Sequence, residues 1–167
     1  MKTLYIVRHA KSSWDHSGIS DHDRPLMEKG KKKTRRIVDY LLLHKVEIDL
    51  IISSDAVRAR ETAFIIARGI SYPDTEIRLS SSIYNCGTDD LFRLLDSLAD
   101  DIGSLMIVGH NPSMTDFANI FLEDIIYNMP TSGVACIEFN TDKWADIRSS
   151  AKKTNFVISP KTLKKEI

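Results

Sequence analysis

Four residues of this chain have both the chemistry and the placement to handle an anion. Arg8 and His9 follow the apolar run Leu4-Tyr5-Ile6-Val7, Arg58 comes a few positions after Leu50-Ile51-Ile52, and His110 follows Leu105-Met106-Ile107-Val108 across Gly109. A guanidinium offers a planar, permanently charged fork of donors, and an imidazole gives, takes or shares a proton near neutral pH. If the three runs are parallel strands of one sheet, their carboxyl ends share an edge, which is where open α/β sheets bind ligands. Two arginines, two histidines and at least one helix N-terminus then converge, and these are the parts of an oxyanion site. Taken singly, the same residues have plainer readings. Arg8 suits a solvated strand end, His9 a satisfied structural histidine, Arg58 a helix surface shared with Arg60, Glu61 and Arg68, and His110 a turn closed with Asn111-Pro112. Their common position at strand ends favours the functional reading, and spacing alone leaves both open.

Metal binding is the rival chemistry, since two histidines near Asp15 or Asp23 could ligate zinc. Arg8 and Arg58 would be neighbours of such an ion, and fixed positive charge opposes a divalent cation. There is no HxH, no HExxH and no cysteine cluster, so no metal is expected. His16, His22 and His44 read as loop or helix-end residues. GxxxxGK[ST] and GxGxxG are absent, and the Ser12-Ser13 and Ser53-Ser54 pairs lack a GxSxG setting.

The elements that must position these residues can be read from periodicity. Leu4–Val7, Leu50–Ile52 and Leu105–Val108 are short apolar runs that predict buried strands, with a weaker strand over Glu76–Leu79. Lys11 to about Lys29 is polar and predicts a loop. Thr34, Ile37, Val38, Leu41 and Leu42 recur at helical spacing within a helix from about Lys31 to His44. Ser53-Ser54-Asp55 can cap a helix reaching about Arg68. Thr88 is placed to cap Asp89–Leu98, and Pro112 suits the first turn of a helix to about Leu122. Val134–Phe139 and about Trp144–Arg148 predict a strand pair, and Lys161–Ile167 a fraying end. Strands alternating with helices predict an α/β fold, a three-layer α/β/α sandwich around a mainly parallel sheet.

Composition bounds the function classes. A chain of 167 residues suits one domain spanning 1–167. Lysine plus arginine and aspartate plus glutamate both total 23, so the net charge is zero. That balance gives no bulk footprint for nucleic acid or an anionic membrane, and neither is expected as a partner. Cys86 and Cys136 match no metal spacing, and a disulfide between them is not expected. The first apolar run is too short for a signal sequence or a membrane span, which predicts a cytoplasmic protein.

Arg8-His9-Ala10, Ser53-Ser54 leading to Arg58-Ala59, and Gly109-His110-Asn111 together resemble the histidine phosphatase superfamily, which includes the cofactor-dependent phosphoglycerate mutases. Within it the chain is similar to the small bacterial phosphohistidine phosphatase branch. That likeness rests on Arg8-His9-Ala10-Lys11-Ser12-Ser13-Trp14, Asp23-Arg24-Pro25-Leu26 with Gly30, Val57 to Ala63, and Val108 to Pro112. It spans Met1 to about Leu122. The resemblance implies a phosphoglycerate mutase-like fold and a phosphatase that needs no cofactor. It implies that His9 is the nucleophile and becomes phosphohistidine, that Arg8 and Arg58 hold the phosphoryl oxygens, and that His110 donates to the same oxygens. Arg24 and Asn111 are implied as further substrate-binding residues. The partner is then a phosphorylated substrate, with a phosphohistidine-bearing protein as the leading case.

Two features depart from the family pattern. Ala10 stands where the family's RHG motif has glycine, which is tolerable if its φ is negative. Many members carry a glutamate general acid after the third strand, whereas this chain reads Ser82-Ile83-Tyr84-Asn85-Cys86-Gly87, with no carboxylate before Asp89 and Asp90. Without a strong acid an alkoxide leaves slowly, while a ring nitrogen can be protonated beforehand. This favours a phosphoramidate over a small phosphoester. Hydrolysis of a phosphorylated metabolite and a non-catalytic phosphate-binding module are the alternatives.

Overall fold

In a computed structural model the described residues are 1–15 and 17–164. His16 and the last three positions of the predicted fraying end lie outside them. The strands are β1 (Lys2–Arg8), β2 (Leu50–Ser54), β3 (Arg78–Ser80), β4 (Ser104–Gly109), β5 (Val134–Phe139) and β6 (Lys152–Ile158). The helices are α1 (Glu28–Leu43), α2 (Val57–Gly69), α3 (Thr88–Asp96), α4 (Ser113–Phe121) and the short α5 (Pro160–Lys164).

The six strands form one sheet in the order β3-β2-β4-β1-β5-β6. β1, β2, β3 and β4 run parallel, while β5 is antiparallel to both β1 and β6. Side chains alternate across each strand, and the central strands are apolar on both faces. Leu4 and Ile6 of β1 and Leu105 and Ile107 of β4 join a core with α3 and α4, built around Phe92, Phe117 and Phe121. Tyr5, Val7, Met106 and Val108 face the other way, toward Ile37, Val38 and Leu41 of α1, Ala63 and Ile66 of α2, and Leu163 of α5. Helices on both faces make the predicted three layers. Among the described residues no helix is long and apolar enough to cross a membrane.

Three local expectations are corrected. Trp144–Asp146 is a turn of 3-10 helix, not a strand; Trp144 is fully buried and its indole Nε1 donates to the Ile102 carbonyl at 2.8 Å. The partner of β5 is instead β6, whose Lys152 and Lys153 are exposed. A sheet-edge strand carries such charges without penalty, so its apolar signal is weak. Thr88 is the first residue of α3, and Gly87 is the cap, its N–H donating to Asp90 Oδ2 at 2.9 Å. The predicted loop from Lys11 is bridged across its width between Ser12 and Leu26, and α1 begins at Glu28.

Gly30 sets how closely α1 approaches the segment after β1. A Cβ there would lie 2.4 Å from the Lys11 carbonyl oxygen, so helix and loop backbones touch. The obstacle is backbone rather than a flexible side-chain end. Gly30→Ala is therefore expected to cost about 1–3 kcal/mol, as overpacking does, measured by urea unfolding.

Candidate active site

The carboxyl ends of β1, β2 and β4 meet at one edge, as the strand reading requires. The His9 N–H donates to the Gly109 carbonyl at 3.0 Å, fastening the end of β1 to the end of β4. The Ala10 N–H donates to Thr62 Oγ1 of α2 at 2.9 Å. Ala10 is fully buried and is not among the residues with positive φ, so a methyl group is accommodated where the family pattern has glycine. Arg8, His9, Arg24, Arg58, His110 and Asn111 all line a single cavity of about 580 Å³. The six residues singled out from sequence are thus brought together.

His9 is 8% exposed, and its Nδ1 lies 2.7 Å from the Ala10 carbonyl oxygen. A carbonyl can only accept, so Nδ1 carries the proton and Nε2 keeps its lone pair. Burial is the largest cause that lowers the His9 pKa to about 3, opposed by the Ala10 carbonyl and assisted by His110, Arg58 and Arg8. The two guanidinium groups contribute, but burial leads. His110 sits beside it, ring centroids 5.1 Å apart, with its pKa lowered to about 4 by burial and then by Arg58. His110 Nε2 is 2.8 Å from Ser54 Oγ. That hydroxyl already accepts from the Ala56 N–H, and among the described residues it has no other acceptor for its own proton. Ser54 therefore donates to Nε2, which places the remaining proton of His110 on Nδ1.

Each arginine is held from behind. Arg8 Nη1 donates to the Met129 carbonyl at 2.9 Å. Arg58, only 5% exposed, donates from Nη1 to the Asp21 carbonyl at 2.6 Å and from Nη2 to Asp21 Oδ2 at 3.0 Å. Arg24 donates from Nε to Asp21 Oδ1 at 3.1 Å and from Nη1 to Ser12 Oγ at 2.9 Å, and stacks 3.4 Å from the ring centroid of exposed Trp14. Among the described residues, the buried side-chain nitrogen or oxygen atoms with no hydrogen-bond partner are Arg8 Nε, Arg58 Nε and His110 Nδ1. All three are donors and all belong to residues of this cavity. A buried donor left unanswered is costly, and such exceptions in a folded chain point to a ligand. The ligand they call for is rich in acceptor oxygens and negatively charged.

Asn111 lines the cavity with its amide already committed. Its Nδ2 donates to Asn128 Oδ1 at 2.8 Å and to the Met129 carbonyl at 2.9 Å, and its Oδ1 accepts from Thr115 Oγ1 at 2.8 Å. It holds the same carbonyl that anchors Arg8, so its visible contribution is to fix the wall. Asp90 caps α3 and pairs with Arg93, and Asp89 is an exposed residue near Arg148. Asp15 does line the cavity. No group of three or more His, Cys, Asp or Glu among the described residues is placed to hold a metal ion.

Asp21 escaped the sequence reading. It joins Arg24, Arg58 and Tyr84, whose hydroxyl donates to Asp21 Oδ2 at 2.5 Å. That hydrogen bond is the largest cause holding the Asp21 carboxyl down at about 2, with Arg58 adding to it. The only local signal is an aspartate three residues before an arginine in a polar loop, which many surface segments share.

This geometry, an anion site with a buried neutral histidine at its centre, agrees with comparisons to known proteins. The profile of the Histidine phosphatase superfamily (branch 1) matches residues 4–81. An uncharacterized protein of Mycobacterium leprae is 30% identical over 145 residues, 78% of this chain and 86% of the relative. The candidate phosphohistidine phosphatase SixA of Agrobacterium tumefaciens superposes with a TM-score of 0.80 at 27% identity, covering 95% of this chain and 98% of that one. A phosphoglycerate mutase of Bacillus anthracis shares the fold, with a TM-score of 0.73 at 14% identity over 98% of this chain and 96% of its own. The chain belongs to the histidine phosphatase superfamily. It is an enzyme, a hydrolase of the phosphatase kind.

The depressed histidine pKa values have a sign that can be checked. His9 and His110 take up protons more readily when unfolded, near 6.5, than when folded, at about 3 and about 4. Their contribution to stability is complete above about pH 6.5 and is lost as pH falls toward those folded values. In a histidine NMR titration from pH 8 to 5, the ring signals of His9 and His110 are expected to stay still. His22, whose pKa is raised by hydrogen bonds to Asp55 and Asp23, is expected to titrate above the ordinary range.

Proposed function

We propose that this chain, acting as a single cytoplasmic domain in a bacterial cell, removes phosphoryl groups from protein phosphohistidine by way of a phosphohistidine on His9. The observation that carries this reading is the set of three unanswered donors, Arg8 Nε, Arg58 Nε and His110 Nδ1, all belonging to residues that line one cavity with His9. A phosphoryl group presents three equatorial oxygens to receive them. The likeness to SixA of Agrobacterium tumefaciens, itself a candidate phosphohistidine phosphatase, supports the substrate class.

The steps balance without a metal. The Nε2 lone pair of His9 attacks phosphorus while the bond from phosphorus to the substrate's ring nitrogen breaks. The departing nitrogen keeps the electron pair of the broken bond, and the imidazole leaves neutral because its other ring nitrogen is already protonated or the departing nitrogen takes a proton from solvent. Water then attacks the phosphoryl group on His9, releasing inorganic phosphate and returning the neutral ring. Guanidinium and imidazole donors stay fixed as charge shifts among the oxygens, which is where the rate enhancement arises. Arg24, held by Asp21 and Ser12, stands as a further contact for the substrate phosphate.

A phosphomonoesterase reading has one foothold, Asp15, a carboxyl group in the cavity lining that could protonate an alkoxide. Efficient turnover of simple alkyl phosphates by the wild type would favour it. A non-catalytic module would bind phosphate without ever labelling His9.

Brief mixing with a phosphohistidine peptide, quenched in alkali and read by mass spectrometry, is expected to show a phosphoryl adduct on His9 that decays as phosphate appears. His9→Ala is expected to abolish both adduct and turnover. Arg58→Ala is expected to lower kcat by about a hundredfold to a thousandfold, as losing a transition-state donor does, with the fold checked by circular dichroism. Normal turnover in His9→Ala would discard the covalent route.

A further inference from the structure

A chain of zero net charge gathers cations beside this cavity. Lys29, Lys33 and Arg36 follow one another at positions i, i+4 and i+7 on α1, so they form one stripe along the helix. Two more cations reach the stripe from distant parts of the chain. The pKa of the Lys33 ammonium is lowered by Lys29 first and by desolvation next, and then by Lys11 from the segment after β1, by Arg36, and by Lys164 from α5. Among the described residues Lys11, Lys29, Lys33 and Lys164 make no ion pair with a carboxylate. Of the two acids on the helix, Glu28 is engaged with Lys31 at 3.1 Å and Asp39 lies beyond the far end of the stripe, three positions after Arg36. Like charges at this spacing oppose folding, so the arrangement is not explained by stability.

The stripe begins at the mouth of the site. Lys11 and Met27 both line the cavity that holds His9. The Met27 N–H donates to the Lys11 carbonyl at 2.9 Å, and α1 starts at the next residue. Gly30 then brings the helix against the Lys11 backbone. A macromolecule presenting a phosphorylated side chain to His9 must cover Lys11 and extend over neighbouring surface, and along α1 that surface is positive.

We infer that the stripe of Lys11, Lys29, Lys33, Arg36 and Lys164 is a docking surface for an acidic face of the protein that carries the phosphohistidine. The inference rests on the phosphohistidine reading and adds how the substrate protein is chosen. Charge complementarity of this kind steers encounter and suppresses wrong partners, and it weakens as salt rises.

The test uses two phosphohistidine peptides of equal length, one with glutamate-rich and one with glutamine-rich flanks. At low salt the wild type is expected to favour the acidic peptide in kcat/KM by about tenfold, chiefly through KM. The advantage is expected to disappear between about 0.01 M and about 1 M salt, as the screening length falls from about 30 Å to about 3 Å. The charge-reversed variant K29E/K33E/R36E is expected to lose the preference while turning over the glutamine-flanked peptide like the wild type. The salt series on the wild type stands even if that variant folds poorly. Equal kcat/KM for the two peptides at low salt would overturn the inference, as would a preference that survives charge reversal. If neither peptide is dephosphorylated, the phosphohistidine reading fails on its own. Fluorescence anisotropy of an unphosphorylated glutamate-rich peptide then decides the docking surface: salt-sensitive binding lost in the variant supports it, and no binding overturns it. Tighter, variant-sensitive binding to phosphatidylserine vesicles than to the acidic peptide would assign the stripe to a membrane and overturn it as well.

Discussion

A buried guanidinium must hand its protons to something. In this chain two arginines lie at the carboxyl edge of the sheet, Arg8 anchored through Nη1 and Arg58 through both Nη1 and Nη2, and each is left with an unanswered Nε. Much of the architecture serves that arrangement. β1 and β4 lie side by side in parallel with their carboxyl ends fastened together, so that Arg8, His9 and His110 share one rim. α2 leads Arg58 to the same rim, and the segment from Lys11 to Met27 folds back to put Arg24 and Asp21 across from it. The cost of holding positive charge and open donors under the surface is offset elsewhere, by two apolar cores on either face of the sheet.

The same electrostatic setting makes His9 useful. Burial beside cations keeps the imidazole neutral, and the Ala10 carbonyl decides which nitrogen carries the proton. In the mechanism we propose, a nucleophile prepared in this way needs no separate base for its first step. The missing glutamate after the third strand is then consistent with a leaving group that carries its own proton. The residues in that stretch have other work: Asp90 caps α3, and Tyr84 reaches Asp21.

Much of this was legible in the sequence because it is periodic or adjacent. Apolar runs of four residues marked β1 and β4, and the charged groups directly after them marked the rim. Other parts depended on tertiary contact. Trp144 sits in a segment that alternates like a strand, yet its ring fills the core and its indole answers the Ile102 carbonyl, which favours a tight turn. β6 was hidden by Lys152 and Lys153, tolerable only because the strand lies at an edge. The orientation of His110 depends on Ser54, 56 residues away. Asp21 had no pattern to betray it, since its partners Arg58 and Tyr84 are 37 and 63 residues distant.

Asp21 also makes the two guanidinium groups it touches into one unit. A single carboxylate grips Arg24 with one oxygen and Arg58 with the other. Altering either arginine frees half of that carboxylate, which then redistributes toward the other. Energies for changing Arg24 and Arg58 separately therefore do not sum to the energy for changing both, because each single change already disturbs the shared partner. The loop that carries Asp21 is in this sense a thermodynamic coupler, and the two arginines face the cavity as a pair with one common hinge.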